Sequence, residues 1–424
     1  MYWQLKPITR TDYNMSDFNF KIPELLAPAG DRERFDKALE FGADAIYVGG
    51  AEFGMRAAPS NFTFSELADA VETAHGKGVK VYLTVNTVPN NDEIRRLPDF
   101  LLQAQEAKVD ALIISDLGTM NMAKKYAPDT EIHISTQAGI TNFETANVYY
   151  SLGAKRIVTA REVSLEDIAD IRANIPADMD IECFVHGAMC MSFSGRCLIS
   201  NYLTARDANK GDCAQPCRWK YHLMEETRPG EYFPVFEDEH GSYIMNSRDM
   251  CMIEHIPEMV KAGITSFKIE GRAKSAYYTA VITNAYRAAI DGYLKNPSDD
   301  YVPEQWIIDE IRKISYREYC TGFYYGRPQD DAQMFYDGGY KREWNVSGEI
   351  IASDGKTVTG ILRNRFYEGD ELEVMQAGQK PFNVRVNNLT DENGEKIDNA
   401  PHPMMKFSFD CEGVRKGAIL RKKL

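Results

Sequence analysis

Nowhere in the 424 residues is there a run of about 18 uncharged apolar side chains, the length a helix needs to cross a bilayer. The N-terminal stretch MYWQLKPITRTDYNMSDFNF is polar, with no apolar core and no small-residue cleavage site, so no export signal is expected. The expectation is a cytoplasmic protein without membrane association. Basic residues are also in deficit. With 49 Lys and Arg against 63 Asp and Glu, the net charge of -14 argues against a broad basic nucleic-acid surface, though not against a local one. Familiar hydrolase signatures are absent too. There is no HExxH of a zinc protease, no GxSxG elbow, and no Asp-Thr-Gly or Asp-Ser-Gly of an aspartic protease.

What is present is enough apolar material, 44% of residues, for one large core and a smaller one. From residue 24, short β-rich runs alternate with amphipathic stretches. Eight such runs stand out: Glu24–Ala27, Ala45–Val48, Val81–Val85, Ala111–Ser115, Glu131–Ser135, Arg156–Thr159, Asp180–Val185 and Ser266–Glu270. Helical patterns lie between them, as in Asp31–Phe41 with Gly42 as a C-cap, and Thr63–Lys77 with Ser65 as an N-cap. Eight βα units predict a TIM-type (β/α)8 barrel. The runner-up, an open doubly wound sheet, is weakened because the turn after the first strand reads APAGDRERF rather than GxGxxG. Ser275–Leu294 reads as a long barrel helix.

Near residue 340 the pattern changes to short strands, Val346–Ala352, Thr357–Leu362, Asp370–Val374 and Phe382–Val386, with turn signals at Asp354-Gly355 and Asn393-Gly394. The expected organisation is an N-terminal extension (1–21), a barrel (22–335) with a Cys-rich insertion at about 186–265 after strand 7, and a small all-β, barrel-like C-terminal domain (340–424).

Five of the eight cysteines fall between Cys183 and Cys217. Without an export signal, such crowding favours a metal centre over disulfides. Six residues separate Cys190 from Cys197, fifteen lie before Cys213, and three before Cys217. Four thiolates at these gaps suit an iron-sulfur cluster, with zinc or no metal at all as the alternatives. Cys183, Cys251, Cys320 and Cys411 read as buried small hydrophobes. Basic residues gather at Arg206 and Lys210, at Arg218 and Lys220, and in the tail Arg415, Lys416, Arg421, Lys422 and Lys423. They are either a local anion surface or solvated charge.

In a barrel of this kind, polar residues at the C-terminal strand ends are the candidates for chemistry. Here they are Asn86, Asp116, Gln137, Arg161, Glu162, His186, Glu270 and Arg272, of which Asn86 and Asp116 could equally be caps. His186, Glu270 and Arg272 follow the two strands that flank the insertion. An imidazole there could move a proton near neutral pH, a carboxylate could act as base, and a guanidinium could grip a carboxylate or phosphate.

The stretches ELLAPAG, GADAIYVG, FVHGAMCMSFSGRCLIS, GDCAQPCRWKY, FEDEHGSYIMNSRDM and SFKIEGRAKSAYY resemble the U-thirty-two family, historically named collagenase-like peptidases, and within it the TrhP-type tRNA hydroxylation branch. The resemblance runs from about residue 22 through the β-domain. It implies prephenate-linked hydroxylation of a wobble uridine to 5-hydroxyuridine by a protein carrying a 4Fe-4S cluster. By that resemblance Cys190, Cys197, Cys213 and Cys217 correspond to the ligands, although in some relatives one ligand comes from elsewhere. The implied partners are a tRNA anticodon loop, prephenate and a family paralogue as partner subunit. Arg206, Arg218 and Arg272 are then candidates to hold phosphate or prephenate, Arg161, Asn86 and Gln137 are further candidates for substrate binding, and Phe193, Tyr202 or Trp219 could stack on a base. Two other functions stay open: a peptidase using a His186 and Cys190 dyad brought together by helical spacing, and a non-catalytic RNA-binding or assembly factor.

Overall fold

The computed structural model describes residues 20–55, 61–189, 199–206, 208, 212–216, 219, 222–223, 233–234, 246–326, 333–334 and 341–424. Cys190, Cys197, Cys217, Arg218, Lys210, Lys220 and Phe193 lie outside the described residues, as does the side chain of Tyr202.

All eight expected barrel strands form, at Glu24–Pro28, Ala45–Gly49, Lys80–Val85, Ala111–Ile114, Glu131–Ile134, Arg156–Val158, Asp180–Ala188 and Ser266–Ile269. Each pairs in parallel with the next. The eighth closes the ring by pairing with both the first (Glu24 opposite Ser266) and the seventh (Glu182 opposite Ser266). The open-sheet alternative is therefore excluded.

Side chains alternate across each strand. Leu25, Ala27, Ile46, Val48, Val81 and Leu83 point outward into one large core with the helices, whereas Leu26, Tyr47, Tyr82 and Ile113 point into the barrel. The rest of the interior is charged. Arg156 donates to Glu24 (2.6 Å) and Glu182 (3.0 Å), Lys268 donates to Glu182 (2.6 Å), and Tyr82 donates to Glu24 (2.7 Å). All five residues are buried.

The helices start where local chemistry dictates. Asp31 caps Arg32–Glu40, and Gly42 follows with a positive φ of 94°. The second helix runs Phe64–His75, and its cap is Thr63, not the expected Ser65. Thr63 accepts from the Glu66 N–H while Glu66 reaches back to the Thr63 N–H, a reciprocal box that Ser65 cannot build because no carboxylate or amide stands three residues after it. Thr63→Ala is accordingly expected to cost about 1 kcal/mol in a urea unfolding titration. Among the described residues, no helix is long and apolar enough to cross a membrane.

The insertion leaves the barrel after Ala188 and returns along it. Asp249–Cys251 runs antiparallel to the end of the seventh strand, Asp249 opposite Ala188 and Cys251 opposite His186, and Tyr319–Cys320 adds to its other side.

The C-terminal domain is a seven-stranded antiparallel half-barrel around Val358, Leu372, Phe366, Phe407 and Phe409. It is fused to the barrel wall, since Met375, Ala377 and Ile419 belong to the large core. Arg421 is fully buried between the two bodies, donating to Glu310, to Glu373 (2.7 Å) and to the Tyr277 hydroxyl (3.2 Å). The basic tail is thus largely structural. Lys422 pairs with Asp370 (2.9 Å) and Arg415 donates to the Ala377 carbonyl (2.9 Å), so the reading of the tail as an anion surface does not hold for these three.

Candidate functional site

The seventh and eighth strands end side by side, and the register between them shifts after Lys268, so that Ile269 faces His186. This irregularity brings Glu270 over Gly187. The Glu270 N–H donates to the His186 carbonyl (2.8 Å), and a Cβ added at Gly187 would stand 2.5 Å from the Glu270 carbonyl oxygen. Gly187 also has φ +111°, a region that L side chains rarely adopt. Only glycine fits there.

Around this junction the candidates separate into two groups. Glu270 and Arg161 meet at the mouth, with Arg161 Nη2 donating to Glu270 Oε2 at 3.3 Å. The Arg161 guanidinium lies 4.0 Å from the centroid of the Phe184 ring, a cation–π contact that holds it in place. These two half-buried charges face outward chemistry.

His186 is different. It is 1% exposed, walled by the rings of Tyr319 (5.2 Å), Tyr286 (5.6 Å) and Tyr278 (6.1 Å). Burial, followed by the nearby positive charge of Lys274, pushes its pKa down to about 3. The expectation of a proton shuttle near neutral pH is therefore corrected: the imidazole is neutral throughout that range and acts as an uncharged hydrogen-bonding group. It also sits in a strand rather than a helix, so the helical spacing that would join it to Cys190 in a peptidase dyad does not apply.

Arg272 is turned inward, not open at the rim. It is buried, its Nη1 lies 3.3 Å from the Thr84 hydroxyl, and it fills the space that a Cβ on Gly49 would need. It packs across the barrel top against Thr84 and Gly49. Asn86 is likewise structural. Its Oδ1 accepts from the Met55 N–H (3.0 Å) and its Nδ2 donates to Ser135 (3.3 Å). Asp116 caps the helix Leu117–Tyr126, as the alternative for it anticipated. Gln137 sits half-buried in a short turn, Thr136–Ala138, at the end of the fifth strand. Arg206 is exposed and paired with Asp212 (2.7 Å).

Of the four insertion cysteines, Cys213 is described. It is an exposed free thiol whose sulfur accepts the Gln215 backbone N–H at 3.3 Å. Exposure and a backbone N–H aimed at the sulfur are features of cysteines that hold iron-sulfur clusters, so this residue fits a cluster ligand. Cys183, Cys251 and Cys411 contrast with it. Burial pushes the thiols of Cys183 and Cys251 up to about 12 and that of Cys411 up to about 11. They are held protonated, and among the described residues no group of three or more His, Cys, Asp or Glu could hold a metal ion.

Gln215 brings the insertion to the mouth. It lines, together with Glu270, Lys274, Tyr277, Tyr278 and Ser315, a cavity of about 390 Å³. Sequence reasoning passed over Lys274, which lies between the strand end and the helix, and took Tyr277 as core because it lies within the helical pattern. The available signal was a lysine immediately before the N-cap Ser275 of the long helix Ala276–Lys295, at a barrel mouth.

Comparison with known proteins agrees with this architecture. The model of peptidase family U32 matches residues 30–334, and that of the U32 C-terminal domain matches residues 342–421. The chain is 37% identical over 394 residues, 92% of each chain, to tRNA hydroxylation protein P1 of Bacillus subtilis. It is 35% identical to tRNA hydroxylation protein P of Escherichia coli, covering 89% of this chain and 91% of that one. It is also 43% identical to an uncharacterized protease of Methanocaldococcus jannaschii, covering 88% and 97%. With both family regions matched in order and relatives aligned nearly end to end, the chain belongs to peptidase family U32.

Proposed function

We propose that the protein is a tRNA-modifying enzyme that hydroxylates the wobble uridine at carbon 5, with prephenate as co-substrate and a 4Fe-4S cluster held by Cys190, Cys197, Cys213 and Cys217. The observation that carries this reading is the near full-length similarity to proteins named for tRNA hydroxylation, joined to an exposed Cys213 beside the barrel mouth.

When bound, the cluster would supply one-electron transfer at the mouth. The chain's own residues do the rest. Glu270, anchored on one oxygen by Arg161, offers its carboxylate as an acceptor for a base N–H or a proton. The neutral His186 fixes the end of the seventh strand without adding charge. Trp219, 46% exposed in the insertion, presents a ring face on which an unpaired anticodon base can stack.

Among the described residues, burial holds Cys183 and Cys251 as thiols, so neither supports a peptidase reading as an activated nucleophile.

The test is mass spectrometry of tRNA nucleosides from cells lacking the gene and any paralogue. 5-Hydroxyuridine should fall at least about tenfold and return with the wild-type gene but not with Cys213→Ala. Protein purified without oxygen should carry about four iron and four sulfide. An unchanged 5-hydroxyuridine level in the deletion strain defeats the reading.

A further inference from the structure

We infer that the outer wall of the barrel formed by the helices Leu117–Tyr126, Phe143–Ser151 and Leu165–Asn174 is a surface through which two copies of this chain pair about a two-fold axis. The inference concerns the side wall rather than the mouth, and it is independent of the reaction proposed above.

The middle helix of the three is short of cover. Among its nine residues only Ala146 is fully buried, and Glu144 is its one charged side chain. Val148 on its outer side is 57% exposed, and Leu152, which ends it, is 38% exposed. Leu117, the first residue of the preceding helix, is 57% exposed. Single exposed apolar residues are ordinary. The charges on either side are what single this wall out.

Leu117–Tyr126 carries two charged side chains, Lys124 and Lys125, both exposed in its last turn. Neither has a carboxylate partner among the described residues. The Lys125 ammonium lies 4.8 Å from the centroid of the Tyr126 ring, and the Lys124 chain rests beside Gly153, at the end of the middle helix. On the other flank, Leu165–Asn174 exposes Glu166, Asp167 and Asp170. Asp167 accepts from the Ser164 hydroxyl (2.7 Å) and Asp170 from the Asn174 amide (3.0 Å), and none of the three acids has a cationic partner among the described residues. Arg172, the basic residue of that helix, is turned to the carbonyls of Ile175 (3.1 Å) and Met179 (2.6 Å).

A basic helix end, an apolar helix and an acidic helix start therefore lie in diagonal order across one wall, and such a wall is complementary to itself. A two-fold axis lying in the wall and crossing the middle helix obliquely near Val148 sets the two middle helices across each other. The same rotation brings Lys124 and Lys125 of each copy toward Glu166, Asp167 and Asp170 of the other. Because a barrel wall is convex, apolar contact concentrates on the middle helix while the long charged side chains reach across on both sides, an apolar centre inside a polar rim. A partner of another sequence would have to carry a matching pair of flanks; a second copy supplies both by symmetry.

Sedimentation velocity of the full-length, anaerobically purified protein between about 1 and 100 µM should show a monomer–dimer equilibrium that weakens as salt rises. Lys124→Glu combined with Lys125→Glu should weaken the dimer at least about tenfold, and so should Glu166→Lys combined with Asp170→Lys. Mixed in equal amounts, the two reversed proteins should regain it, because each alone offers two repelling flanks and the pair offers two attracting ones. Val148→Asp should abolish pairing in every combination. All these positions are on the surface, so melting temperatures should stay within about 2 °C of the wild type.

A monomer at every concentration, which leaves the wall to another protein or to solvent, overturns the inference. So does a dimer that ignores the charge reversals, and so do reversed proteins that stay monomeric when mixed.

Discussion

Replacing Arg156 by methionine is expected to lower the unfolding free energy by about 3–5 kcal/mol, the largest stability loss of any single change considered for this fold. The guanidinium is the hub of the barrel interior, bonded to Glu24 and Glu182 from strands far apart in sequence, and all three are cut off from water. Removing it leaves buried carboxylates with one partner fewer. The pH profile distinguishes this from simple packing loss. Burial alone would raise the Glu24 pKa, but the charge and hydrogen bonds of Arg156, helped by Tyr82, outweigh burial and hold it down to about 2. A depressed carboxyl contributes stability that is complete above the usual 4.5 and is lost as pH falls toward 2. The wild type should therefore lose stability over that acid window. In Arg156→Met, burial of Glu24 dominates, its carboxyl prefers to stay protonated, and stability should instead decline as pH rises through the ordinary carboxylate range. Urea titrations at a series of pH values read both slopes. Parallel profiles for the two proteins would show that Arg156 does not set the Glu24 charge.

Gly187→Val is expected to be nearly as damaging to the fold and more damaging to function. The new side chain would demand a backbone angle that L residues avoid and would drive its Cβ into the Glu270 carbonyl. Relief requires the seventh and eighth strands to part at the mouth, which breaks the bond from the Glu270 N–H to the His186 carbonyl. A loss of about 2–4 kcal/mol in stability should follow and, on the proposed function, a loss of at least about a hundredfold in 5-hydroxyuridine formation. Circular dichroism at a temperature where the variant is still folded, paired with nucleoside analysis, separates the two effects. A variant with normal modification would mean that the junction does not position the reacting groups.

The barrel was legible because each strand is a short apolar run bounded by turns, and that signal is local. Thr63 in place of Ser65 shows where local reading slips: the choice between two hydroxyl residues two positions apart turned on a carboxylate three positions after the first. The interior charges were in plain view inside the strands, in ELLA, RIVT, DIECFV and SFKIE, yet their meaning depends on closure of the ring. Glu24 and Arg156 are 132 residues apart, and nothing short of the assembled barrel joins them. His186 was found by position but misjudged in character, because the tyrosines that dehydrate it come from positions 278, 286 and 319. Asp249–Cys251 went unread for a simpler reason. A three-residue strand is too short to carry a periodic pattern, and only its pairing with the end of the seventh strand reveals it.

That short return strand ties the insertion's exit to its re-entry, residue against residue. To the barrel, everything between Ala188 and Asp249 is a hairpin's worth of constraint however many residues hang from it. Lengthening such a loop is cheap, about 0.6 kcal/mol for each doubling. The scaffold can thus exchange the contents of this appendage across its lineage, new cysteine arrangements and new recognition surfaces included, while the ring beneath stays as it is.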